Sequence, residues 1–113
     1  MHEMSLAESV REIVDETARA NGAKRVLAVR LEIGKLAQVQ VDAMCFAFEV
    51  VQRGSLAHTA RLEIVEVDAV AWCMRCSQAV TITQRGDACP VCGSYQLQVT
   101  SGDRMRVIDI EIE

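Results

Sequence analysis

The feature that most constrains this chain is a pair of cysteine doublets, Cys73-Met74-Arg75-Cys76 and Cys89-Pro90-Val91-Cys92-Gly93, with twelve residues between them. Two residues between cysteines let both sulfurs of one tight turn face a single ion. Two such turns supply four thiolates, the set that closes a tetrahedral zinc shell at about 2.3 Å. Gly93 permits the positive φ that such a knuckle often uses. A closed shell leaves no open position for a substrate, so the spacing predicts a structural Zn(II) held by Cys73, Cys76, Cys89 and Cys92. The surrounding stretch, residues 69–101, has the only proline and few large apolar side chains. A piece of roughly 33 residues buries too little surface to fold unaided. Zinc binding at such a site supplies folding free energy of about 10–16 kcal/mol.

Two other uses of the cysteines fit less well. A redox dithiol needs one pair, set where a helix N-terminus lowers one thiol pKa, not two pairs. The CPVCG segment resembles a rubredoxin knuckle, which would hold iron. Rubredoxins are aromatic-rich and whole-chain, and here the aromatics are Phe46, Phe48, Trp72 and Tyr95. Nucleic-acid binding is also disfavoured. Affinity for phosphates needs several Lys or Arg, and the net charge is −4. Between Cys73 and Cys92 the only charges are Arg75, Arg85 and Asp87.

The rest of the chain reads as a globular α+β body, with 50% hydrophobic and 25% charged residues. Ser5 and Glu8 have the spacing of a capping box. Leu6, Val10, Ile13, Val14 and Ala18 then recur at helical steps, and Asn21-Gly22 marks the stop. Leu27, Val29, Leu31 and Ile33 alternate with Arg30 and Glu32 opposite, a strand with one face in the core. A second helix is expected from Asp42, as N-cap, to about Arg53, with Met44, Phe48 and Val51 inward and Cys45 a core thiol. Residues 61–68 form a strand whose alternation slips at Ile64-Val65. In the last strand Ile108, Ile110 and Ile112 alternate with solvated acids. His58 falls in a loop, and Trp72 is expected to seal the joint between body and module. The expectation is a small sheet packed with two helices, made of residues 1–68 and 102–113. A zinc-ribbon-like module, 69–101, is inserted between two of its strands.

No apolar stretch is long enough to span a membrane, and the acidic N-terminus lacks the apolar core of a secretion signal. A cytoplasmic protein is expected. That N-terminus, Met1-His2-Glu3, is a second candidate metal site. The Met1 amine, the deprotonated His2 amide and the His2 ring can chelate one ion through fused rings, with the Glu3 amide or side chain in support. Ni(II) and Cu(II) favour square-planar nitrogen ligation of this kind. The bland alternative is a frayed terminus.

An MHE start, a helix, an alternating strand with LEIG, an FAFE helix, RGS, WC-x2-C…CP-x-C and a closing IDIEIE together resemble the HypA/HybF family. These are nickel metallochaperones of [NiFe]-hydrogenase maturation. The resemblance covers essentially the whole chain, in order. It implies a nickel-binding α/β domain carrying His2 and its acidic neighbour Glu3, and a separate zinc domain held by the four cysteines. Ni(II) is then cargo and Zn(II) structural, and the chain is not an enzyme. The implied partners are a HypB-type GTPase and the hydrogenase large-subunit precursor; some members also serve urease, and self-association is compatible. Two departures stand out. Many members place histidines beside the cysteine pairs, where this chain has Ser77 and Gly93-Ser94. Some have an acid before the second helix, where this chain has Gln40, with Asp42 two residues on. The competing reading is a zinc-ribbon interaction module without nickel. An enzyme ranks third, since no nucleophile–base pair or phosphate-cradling loop is visible.

Overall fold

The computed structural model describes residues 2–113. The elements in chain order are α1 (His2–Ala20), β1 (Val26–Gly34), α2 (Val41–Val51), β2 (Arg61–Val67), β3 (Ala69–Cys73), β4 (Gln78–Ile82), β5 (Leu97–Ser101) and β6 (Met105–Ile112). They form two three-stranded sheets, ordered β2-β1-β6 and β4-β3-β5. The chain divides into two compact units. One is Met1–Glu32, Val39–Val65 and Arg106–Glu113; the other is Ile33–Gln38 and Glu66–Met105.

In the first unit α1 buries Ala7, Val10, Val14 and Ala18, a three-to-four spacing that lays one stripe inward. From α2 come Met44, Ala47 and Phe48, and from β1 Val29 and Leu31. Phe48, Leu31 and Met44 are among the largest fully buried side chains, each worth about 1.5–3 kcal/mol of burial. The charged side of the sheet is laced by pairs: Arg30 with Asp109 at 2.6 Å, Arg106 with Glu32 at 3.1 Å, Arg61 with Glu111 at 3.5 Å, and Arg25 with Glu113. The acids expected on the solvated face of the last strand are therefore exposed but paired.

Several local expectations are corrected. Helix α1 starts at His2, a turn before the Ser5–Glu8 box, so Ser5 lies inside the helix and its carbonyl accepts from Ser9 Oγ at 3.2 Å. Asp42 is not the cap of α2. Gln40 is, with extended backbone (φ −81°, ψ 120°) and no side-chain capping bond, and Asp42 sits in the first turn. The helix stops at Val51, where Arg11 reaches across from α1 and donates to the Val51 carbonyl at 2.7 Å, meeting one of the orphan C=O groups of that end. Cys45 is exposed, not a core thiol, and Phe46 is 65% exposed. The buried stripe of α2 runs through 44, 47 and 48, and 45 and 46 fall outside it.

In the second unit β3 is central. It pairs antiparallel with β4, Ala71 opposite Val80 and Cys73 opposite Gln78, and with β5, Cys73 opposite Leu97. Its core is Leu36, Ala69, Ala71, Cys73, Val80, Ile82 and Cys89. Trp72 alternates with Ala71 and Cys73 and is 40% exposed. The segment after β1 belongs to this unit. Leu36 N–H donates to the Gly102 carbonyl at 2.9 Å and Lys35 N–H to that of Val67 at 3.0 Å.

Candidate metal centres

The two cysteine doublets fold into nearly identical turns. The first is the β3–β4 hairpin loop, where Ser77 N–H donates to the Cys73 carbonyl at 2.9 Å. In the second, Gly93 N–H donates to the Cys89 carbonyl at 2.9 Å, and Cys89 N–H is anchored to the Ser94 carbonyl at 2.7 Å. The residue closing each turn has positive φ, 77° at Gly93 and 52° at Ser77. Ser77 is thus the counterpart of Gly93, a role its residue type does not advertise, since non-glycine residues adopt this conformation uncommonly.

These turns bring the four sulfurs within 4.8 Å of one another. Cys73 Sγ lies 3.6 Å from Cys92 Sγ, and Cys76 Sγ lies 3.8 Å from Cys89 Sγ. The edge of a tetrahedron with metal–sulfur bonds of about 2.3 Å is about 3.8 Å. The donor set therefore fits tetrahedral zinc in both chemistry and size. Backbone N–H groups point at the sulfurs: Cys76 to Cys73 at 3.5 Å, and Val91 and Cys92 to Cys89 at 3.4 and 3.5 Å. Gln78 Nε2 adds a contact to Cys76 Sγ at 3.4 Å. The Cys76 N–H holds the Cys73 thiol down at about 6, and the Cys92 N–H lowers Cys89. Loss of solvent, reinforced by the Cys73 sulfur, pushes Cys76 up to about 12. Four thiols this close cannot all ionise without a compensating cation, and a dication is what the arrangement accommodates.

The second candidate centre is in the first unit. His2 and Glu3 lie in the first turn of α1, not in a tail before it. The His2 side chain is 58% exposed, and its Nε2 is 3.7 Å from Glu3 Oε2. The same Glu3 oxygen accepts the Gln40 N–H at 3.3 Å, so the start of α2 stands beside the start of α1. That N–H, aided by His2, keeps the Glu3 carboxyl below the usual carboxylate range. Since Arg11 meets the far end of α2, the two helices run in the same direction and their positive ends coincide. Met1 lies outside the described residues. His58 is exposed in a turn, away from regular structure. The one group of three or more His, Cys, Asp or Glu side chains among the described residues that converges on a metal-sized space is the cysteine quartet.

Comparison with known proteins identifies the family of the chain. Residues 1–112 match the family model described as "Hydrogenase/urease nickel incorporation, metallochaperone, hypA". The chain is 57% identical to the hydrogenase maturation factor HypA of Azotobacter chroococcum and 53% identical to that of Azotobacter vinelandii, with all of both chains covered in each case. A solution structure of the Ni metallochaperone HypA from Helicobacter pylori is 28% identical, with a TM-score of 0.75 over 99% of this chain and 97% of that one. With a family match over nearly every residue and full-length relatives above half identity, this chain belongs to the HypA family.

Proposed function

We propose that this protein is a nickel metallochaperone that binds Ni(II) at its N-terminus and hands it on during maturation of [NiFe]-hydrogenase, and of urease where the cell makes one. Cys73, Cys76, Cys89 and Cys92 hold a structural zinc. The observation that carries the nickel reading is the exposed His2 at the start of α1, beside Glu3 and the first residues of α2, in a chain that matches the family along its length.

The first four N–H groups of a helix have no intrahelical partner. An amide in the first turn of α1 can therefore lose its proton and ligate without breaking a helical hydrogen bond. Coincident positive helix ends favour such deprotonated donors. His2 supplies the ring nitrogen and its amide, and the Met1 amine completes the chelate. The Glu3 side chain is occupied by the Gln40 N–H. It acts as a positioning residue that ties α1 to α2, and its charge offsets the helix-end field that opposes a dication. Ligands on one solvent-facing turn can be stripped singly by a partner, which suits a cargo ion; four clustered thiolates suit a resident one. The role is delivery without catalysis, in the cytoplasm. The family resemblance supports a HypB-type GTPase and the hydrogenase large-subunit precursor as partners.

The test is nickel titration of untagged, zinc-loaded protein by calorimetry and absorbance. His2→Ala is expected to abolish stoichiometric binding with zinc content and helicity unchanged. Residues added before Met1 are expected to weaken it at least tenfold. Undiminished nickel binding by His2→Ala would leave a zinc-stapled interaction module as the better reading.

A further inference from the structure

Helix α2 is apolar on two sides, yet only one of them is covered. Its 11 residues, VDAMCFAFEVV, carry just two charges, Asp42 and Glu49, both acidic. Met44, Ala47 and Phe48 form the stripe that packs into the first unit. A second stripe, Ala43, Phe46 and Val50, has the i, i+3, i+7 spacing of one helix face. Ala43 is exposed, Val50 half-buried and Phe46 65% exposed. A helix apolar all round is ordinarily buried all round, and here the outer stripe meets solvent. The nickel and zinc reading gives this face no role.

The charges around the outer stripe say what can cover it. Asp42 and Glu49 lie one turn before and one turn after Phe46 on the same face. Helix α1 runs alongside, held to α2 at both ends by Glu3 with the Gln40 N–H and by Arg11 with the Val51 carbonyl. Its exposed Glu8 and Glu12 flank the same stretch. None of these four acids has an ion-pair partner among the described residues. The nearby bases leave them unmatched. Arg11 is spent on the Val51 carbonyl and on Asp15 at 3.7 Å, and Arg53 alone stands against the four. The face is therefore an apolar stripe bordered by net negative charge.

The structure assigns this face as a docking surface for a basic amphipathic helix of a partner protein, with Phe46 as its central anchor. A helical occupant presents apolar side chains at the spacing of the stripe, and Lys or Arg beside them meets Asp42, Glu49, Glu8 and Glu12. A second copy of this chain would set acid against acid, a juxtaposition that disfavours pairing. The same acids repel an anionic lipid surface or a phosphate backbone. The proposal holds whether or not nickel is bound.

The experiment uses ¹⁵N-labelled full-length, zinc-loaded protein titrated with a synthetic helical peptide bearing leucine on one face and lysine on the other. One control peptide replaces leucine with alanine at equal charge, and another replaces lysine with glutamate. Saturable amide shifts confined to residues 8–12 and 42–50 are expected with the leucine–lysine peptide. Binding should be about tenfold weaker or more with the alanine peptide and absent with the glutamate peptide. Phe46→Ala is expected to weaken binding about tenfold or more, with zinc content and the remaining spectrum unchanged. The combined Glu8→Gln, Glu12→Gln and Glu49→Gln protein should bind more weakly and lose most of the salt dependence. No saturable shift, shifts centred elsewhere, equal binding of the alanine peptide or an unaffected Phe46→Ala protein would overturn the site. Equal binding of the glutamate peptide, or an unaffected glutamine triple variant, would overturn the basic character of the occupant. Concentration-dependent dimerisation in sedimentation that Phe46→Ala abolishes would make a second copy the occupant and overturn the assignment.

Discussion

Glu3 and Asp109 are both acids near an end of the chain, yet their surroundings give them different work. Glu3 takes a backbone N–H from a neighbouring helix; Asp109 takes the two-pronged Arg30 guanidinium at 2.6 and 3.0 Å on the open face of a sheet. Arg30 holds Asp109 below the ordinary carboxylate range, so the folded chain binds that proton less readily than the unfolded one. The resulting stability is present above the ordinary carboxylate pKa and is lost as pH falls through the lower folded value. Asp109→Asn should therefore lower the urea midpoint at neutral pH, with the gap to wild type closing as pH drops below about 4. A gap that stays constant down to about pH 2 would mean the pair contributes nothing through charge. Single residues were partly legible. The alternation of isoleucine and acid identified the solvated face around Asp109, but nothing local could name Arg30 as its partner. Cys45 is exposed, yet a cysteine among apolar neighbours reads as buried until the rotation of the helix is known.

At the scale of elements, β1 and the segment before β6 meet at a pair of glycines. A Cβ placed on Gly34 would strike the Gly102 carbonyl and come within 2.8 Å of its Cα. Gly102 has φ 82° and is pressed against the backbone of Asp68 and Ala69. Backbone against backbone cannot give way as a flexible side chain can. Gly34→Ala is expected to destabilise the protein by about 3 kcal/mol or more, read from the denaturation midpoint with zinc bound. A cost below about 1 kcal/mol would show that the crossing relaxes. From sequence, Gly34 reads only as a strand terminator. Both helices and the amphipathic strand β1 were visible from periodicity because burial of one face is a local pattern. The helix starts were not. The Ser5–Glu8 box was outbid by a helix that begins at His2, and α2 begins without a side-chain cap. Spacing likewise foretold that Gly93 closes a knuckle, while Ser77 in the same role became apparent only from its φ.

At the scale of the whole molecule, the two units rest on different resources. The first has a packed stripe from two helices and a sheet. The second relies on a small core in which Cys73 and Cys89 are themselves members. Removing zinc with a strong chelator under reducing conditions should therefore release amide protection in β3, β4 and β5, while the α1 and α2 amides and the helical circular dichroism persist. Protection unchanged across β3–β5 after complete zinc removal would show that the cysteine quartet is not what stabilises that unit. The sequence alone determined the chemistry available: four thiols in two tight turns, an imidazole next to the first residue, and an apolar periodicity sufficient for an α+β body. These are properties of residue type and spacing, and they survive without knowing the fold. Tertiary structure alone decided the neighbours. It put Gln40 against Glu3 and carried Leu36 into the core that contains Cys73. Each of these joins positions far apart along the chain, and such contacts are set by the packing of whole elements, which no local pattern of residues encodes.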